Sequence, residues 1–141
     1  MLVRLMYASR EAETMNPEQL QAILRQSKAN NTAAGVTGVL CRSGGMFLQV
    51  LEGGRTPVNA LYQRIARDRR HRDVELIAYE QVGERRFAGW AMGQVDLAGL
   101  NPAVLLKYSE TTALDPYAVT GPVAMALFDD LVATASIVCK G

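Results

Sequence analysis

"GVTGVLCRSGGMFLQVLEGG", residues 35–54, holds two β-type apolar runs, "GVTGVLCRS" and "MFLQVLE", joined by Gly44 and Gly45. Two such runs across a glycine pair predict a β-hairpin. Gln49 sits in the second run between Phe47, Leu48, Val50 and Leu51. A buried primary amide carries two donors and an acceptor with two lone pairs, and each left unpaired is costly. Gln49 therefore marks a point where a polar partner meets the sheet.

On the N-terminal side of the hairpin, "NPEQLQAILRQSKANN" opens with Asn16 as an N-cap and Pro17 at the first helical position. Leu20, Ile23, Leu24 and Ser27 follow at helical spacing, which predicts a helix over roughly 17–31. On the other side, "RTPVNALYQRIARDRR" repeats the period through Val58, Leu61, Tyr62 and Ile65. "LVRLMYAS" (2–9) reads as a buried strand, and "DVELIAYEQV" and "RFAGWAMGQVD" as two more.

The order is β-α-β-β-α-β-β, an α+β, ferredoxin-like arrangement with one extra strand. Right-handed crossovers put both helices on one face, with the first and third strands adjacent in the middle and, on this reading, parallel. Residues 1–96 are then one domain, and 97–141 form an extension with two helical stretches, "NPAVLLKYSE" and "PVAMALFDDLVATASIV". These are too short to fold alone and are expected to cover the sheet's second face.

Bulk properties narrow the function classes. The 141 residues carry 15 Lys+Arg against 14 Asp+Glu, a formal net charge of +1, which gives no support for nucleic-acid binding. Cys41 and Cys139 lie far apart without metal-ligand spacing, so no metal site is expected and a reducing cytoplasm is the default. The N-terminus lacks the features of a signal peptide, and Asp129 and Asp130 interrupt the apolar C-terminal stretch, so no membrane span is expected.

With the central strands parallel, the two helices would run side by side with their C-termini at one end. The stripe Leu20, Leu24, Ser27, Asn31 and the stripe Val58, Leu61, Ile65 both then turn polar there, the second reaching Asp68, Arg70 and His71. The floor adds Tyr7 and Gln49, expected within contact across neighbouring strands. Each residue has an ordinary structural role: Tyr7 in the core, Asn31 as a C-cap, Asp68 paired with Arg72, Arg70 and His71 against the helix dipole, Trp90 and Met92 in sheet packing. Their convergence on an apolar groove points to a small-ligand site that suits a flat heterocycle with carbonyls and ring nitrogens.

Six pieces in register resemble a known family: "LMYAS", "SKANN", "GVTGVL", "MFLQVLEG", "IARDRRH" and "FAGWAMG", spanning about 2–96. The chain resembles the BLUF domains, flavin-binding blue-light sensors, and in particular a short BLUF protein. One departure is Asn30, where many relatives carry His. The resemblance implies FAD held non-covalently between the helices, with FMN or riboflavin tolerated. Ser27, Asn30, Asn31, Gln49, Asp68, Arg70 and His71 would bind the cofactor. Tyr7 and Gln49 would be photoactive: Tyr7 gives up an electron, its proton passes by way of Gln49, and recombination leaves Gln49 rotated or tautomerised, with a small red shift. Trp90 and Met92, read as sharing a face of the last strand, would relay the signal.

No turnover is implied, so the chain would be a switch and not an enzyme. With no effector segment after residue 141, the expected output is a separate protein acting in trans, and the tail helices are the candidate surface for a homodimer. Two rival readings stand beside it: an acylphosphatase-like hydrolase built on Arg70 and Asn31, and a light-insensitive ligand-binding or oligomerisation module.

Overall fold

A computed structural model of the chain describes residues 1–13, 15–134 and 136–137; Cys139 lies outside the described residues. The elements are β1 (Leu2–Glu11), α1 (Pro17–Ala34), β2 (Thr37–Ser43), β3 (Met46–Gly54), α2 (Arg55–Arg67), β4 (His71–Val82), β5 (Gly93–Asp96), a 3-10 turn at Leu97–Gly99, α3 (Pro102–Leu106) and α4 (Gly121–Ala133). They form the expected α+β arrangement, a five-stranded sheet in the order β4-β1-β3-β2-β5.

Local chemistry explains the borders. Gly44 and Gly45 both take positive φ, 54° and 80°, and Ser43 pairs with Met46, which makes the two-residue hairpin turn suited to strand twist. Asn16 accepts from Gln19 N while the Gln19 side chain accepts from Asn16 N, a reciprocal cap, and Pro17 follows. At its other end α1 runs one turn beyond the expected residue 31 and stops at Gly35 (φ 71°), so Asn31 is not the cap. At Gly38 any side chain would collide with the Val50 carbonyl, since a Cβ would stand 2.1 Å from that oxygen.

Strand direction departs from expectation. β1 and β3 are adjacent but antiparallel, with Tyr7 directly opposite Gln49. The crossover through α1 returns the chain parallel to β1, and the hairpin then reverses it before it reaches β1's side. The helices following β1 and β3 therefore run in opposite senses, and their C-termini do not converge. Arg70, just past α2, borders a hollow with Gln19 and Ile23 of the N-terminal half of α1.

Two apolar clusters lie on the two faces of the sheet. One joins Val3, Leu5, Tyr7 and Leu51 to Leu24 of α1 and Val58 of α2. The other joins Val39, Cys41, Leu48 and Val50 to Leu105 of α3 and Ala124, Leu127, Phe128 and Leu131 of α4, so the C-terminal helices cover the second face. The two helices on the first face bury few side chains, Leu24 and Asn31 among the 18 residues of α1 and Val58 among the 13 of α2.

β5 also departs from expectation. It is four residues long, and 83–92, of which 86–92 was expected as the first part of a strand, is an irregular segment that leads into it. The cause is Glu52, fully buried at the end of β3. Its carboxylate accepts from Arg4 Nε (2.8 Å), Arg86 N (2.9 Å) and Phe87 N (2.7 Å), while Arg85 donates to the carbonyls of Gly35 (2.7 Å) and Glu52 (3.4 Å). Backbone donors captured by a side chain are withdrawn from strand pairing.

Candidate functional site

The groove between α1 and α2 has Tyr7, Phe47 and Gln49 as its floor, with Leu24, Ser27 and Asn31 on one wall and Leu61 and Ile65 on the other. His71 and Met92 also line it. An adjoining hollow shares Ser27, Asn31 and His71 and adds Asn30, Asp68 and Arg70. All the residues expected at the ligand site are thus brought together, although by helices of opposite sense.

At the floor, the Tyr7 hydroxyl donates to Gln49 Oε1. Gln49 Nε2 donates to Met92 Sδ at 3.1 Å. Gln49 is thus met on one side by a phenol and on the other by a thioether, which is a weak acceptor. Tyr7 is 1% exposed, and burial, reinforced by neighbouring Tyr62, pushes its phenol pKa far above the ordinary range. The Tyr62 ring stands 5.7 Å from that of Tyr7.

The polar rim is arranged around little net charge. Arg70 and Asp68 form an ion pair at 2.6 Å, and this contact holds the Asp68 carboxyl below its usual range. Ser9 Oγ and His71 Nδ1 share a hydrogen bond at 3.0 Å, and the imidazole packs on Phe47 at 5.6 Å. Burial lowers the His71 pKa, which favours a neutral ring. Asn31 is 2% exposed and donates from Nδ2 to Ala91 O at 3.3 Å, tying α1 to the segment that carries Met92.

The donor set fits a flavin ring. Aliphatic walls suit a flat aromatic face, and an amide, hydroxyl, imidazole and self-neutralised Arg-Asp pair suit a carbonyl and imide edge. The two hollows, about 60 and 180 Å³, run together through Ser27, Asn31, Leu61, Ile65 and His71, which line both.

Trp90 is placed differently. It and Met92 precede β5 and do not share a face: Met92 is buried with the groove cluster, whereas Trp90 packs against the cluster under α3 and α4. The Trp90 carbonyl accepts from Gly38 N at 2.9 Å, which anchors the segment to β2. Sequence reasoning missed Glu52 and its partners. An acidic residue ending the apolar run "LQVLE", opposite Arg4, was the available signal.

Comparison with known proteins agrees with the groove. A family model described as "BLUF: Sensors of blue-light using FAD" matches residues 2–93. The photoactivated adenylate cyclase subunit alpha of Euglena gracilis is 37% identical over 84 residues, which make up 60% of this chain and 8% of that protein. The chain thus spans under a tenth of that relative. The photo-activated state of BlsA superposes with a TM-score of 0.82 at 28% identity, covering 94% of this chain and 95% of that one. The dark state of the BLUF protein BlrB superposes with a TM-score of 0.79 at 28% identity, covering 95% and 96%. With the match spanning most of the sheet and both groove helices, the chain belongs to the BLUF family, the sensors of blue light using FAD.

Proposed function

We propose that this chain is a blue-light photoreceptor whose switch is the Tyr7–Gln49 pair, and that the flavin it carries is FAD. The observation that carries the reading is the hydrogen-bonded row Tyr7 Oη, Gln49 amide, Met92 Sδ at the floor of the groove. Asn31, Ser27 and Gln49 would hold the ring's polar edge, with Asn30, His71 and the Asp68–Arg70 pair at the rim. When bound and excited by blue light, the flavin supplies a strong one-electron oxidant.

Tyr7 is the donor of that electron. The buried phenol holds its proton firmly in the ground state, and oxidation of its ring makes the proton acidic. The proton passes from Tyr7 Oη to Gln49 Oε1, the atom that already accepts from it. As the electron returns to Tyr7 a proton comes back to its oxygen from the Gln49 amide, restoring the phenol. The amide, having gained a proton at Oε1 and given one up, is left rotated or tautomerised, exchanging its weak bond to Met92 Sδ for a donor turned into the groove. Nothing is consumed, so the chain is read as a switch and not a catalyst. The hydrolase alternative is disfavoured because Arg70 is engaged by Asp68 and Asn31 donates to Ala91 O.

In this reading 1–96 is the sensing unit and 97–141 an extension packed on the sheet. The output reaches a partner protein through Met92, the 83–92 segment and the tail. We place the chain in the cytoplasm; among the described residues no helix is long and apolar enough to cross a membrane. The test is absorption of purified Gln49→Leu protein, dark and illuminated. Retained flavin with no light-induced shift is expected; a retained shift refutes the switch.

A further inference from the structure

Beyond the rim the groove opens into a broader hollow of about 600 Å³, lined by Glu13, Met15, Gln19, Ile23, Arg69 and Arg70 among others. It shares Met15 and Ile23 with the groove and Arg70 with the adjoining hollow, so the three form one continuous depression. Its chemistry differs from the groove's. Arg70 is spent on Asp68, but the neighbouring Arg69 side chain is exposed and makes no ion pair among the described residues. The one acidic side chain in the lining is Glu13.

We propose that this hollow is a subsite for the phosphate-bearing side chain of the flavin, with Arg69 as the residue that distinguishes phosphorylated flavins from riboflavin. The inference rests on the reading of the groove as the flavin site. A ring seated between α1 and α2 must direct its side chain out of the groove, and this depression continues the groove on its basic side. A guanidinium without an ion-pair partner among the described residues is suited to phosphate oxygens, to which it donates in a fork. Because Arg69 is exposed, the gain is modest and screened by salt, and Glu13 limits it further.

The test is titration of full-length, flavin-stripped protein with riboflavin, FMN and FAD, followed by quenching of flavin fluorescence at low and at high salt. Expected at low salt is about three- to tenfold tighter binding of FMN and FAD than of riboflavin, the advantage collapsing at high salt. Arg69→Ala should remove the advantage and leave riboflavin binding unchanged, while Arg69→Lys keeps part of it. Equal affinities in the parent protein, or an equal loss for all three ligands in Arg69→Ala, overturn the subsite but not the groove. Failure of all three to bind overturns both.

Discussion

Replacing Glu52 with Gln tests whether the segment carrying Met92 is clamped from β3. The carboxylate is fully buried and receives Arg4 Nε and Nη2 at 2.8 Å each, together with the amides of Arg86 and Phe87. Gln preserves shape but brings its own NH₂ into this ring of donors. In one orientation it faces Arg4; in the other it faces the two backbone amides. Either way donor meets donor and a buried guanidinium loses its main counter-charge. Glu80 remains on Arg4 at 3.0 Å, but it is half exposed and compensates little.

Breaking a buried pair from one side costs about 3–5 kcal/mol, against a total stability of about 5–15 kcal/mol for a domain. With a urea slope of about 2 kcal/mol per M, the midpoint should fall by about 2 M at unchanged slope. The assay is equilibrium urea unfolding with native-state hydrogen exchange at Arg86 and Phe87, whose amides should lose protection before the central strands do. A loss under about 1 kcal/mol with those amides still protected would refute the clamp, since an exposed pair costs no more.

The remaining predictions concern pH and the tail. Burial lowers the His71 pKa below its ordinary value of about 6.5, so the unfolded chain binds the proton more readily. Stability from this group is complete above about pH 6.5 and declines as pH falls through the folded-state pKa. Unfolding from pH 7.5 to 5 should show that decline, and His71→Gln should flatten it; an unchanged profile contradicts the assignment. Phe128 is fully buried with its ring edge-on to Phe87 at 5.7 Å. Phe128→Ala should cost about 3–5 kcal/mol, read from urea unfolding; a cost under about 1 kcal/mol would show that α4 is not part of the core.

Much of this was legible because local signals agreed with the global fold. Glycine pairs, Asn16-Pro17 and apolar periodicity set the element order, and alternation placed Tyr7 and Gln49 on one face. Strand direction was misread because it depends on counting reversals through crossover and hairpin, which no single stretch displays. The length of β5 was misread because "RFAGWAMGQVD" has a strand's composition while Glu52, 34 positions before Arg86, takes its first amides. Trp90 and Met92 were assigned a common face from that same strand. Their separation onto opposite clusters follows once the strand begins at Gly93.

Of the side chains of α1 only Leu24 and Asn31 are buried, so little apolar contact opposes its separation from the sheet, and Asn31 Nδ2 on Ala91 O is its polar tie to the segment that carries Met92. A ligand that bridges α1, α2 and the floor of the groove would add its binding free energy to a part of the fold with few buried side chains of its own. The stability of that part would then rise with ligand concentration, while the sheet and its second face keep the stability their own core supplies.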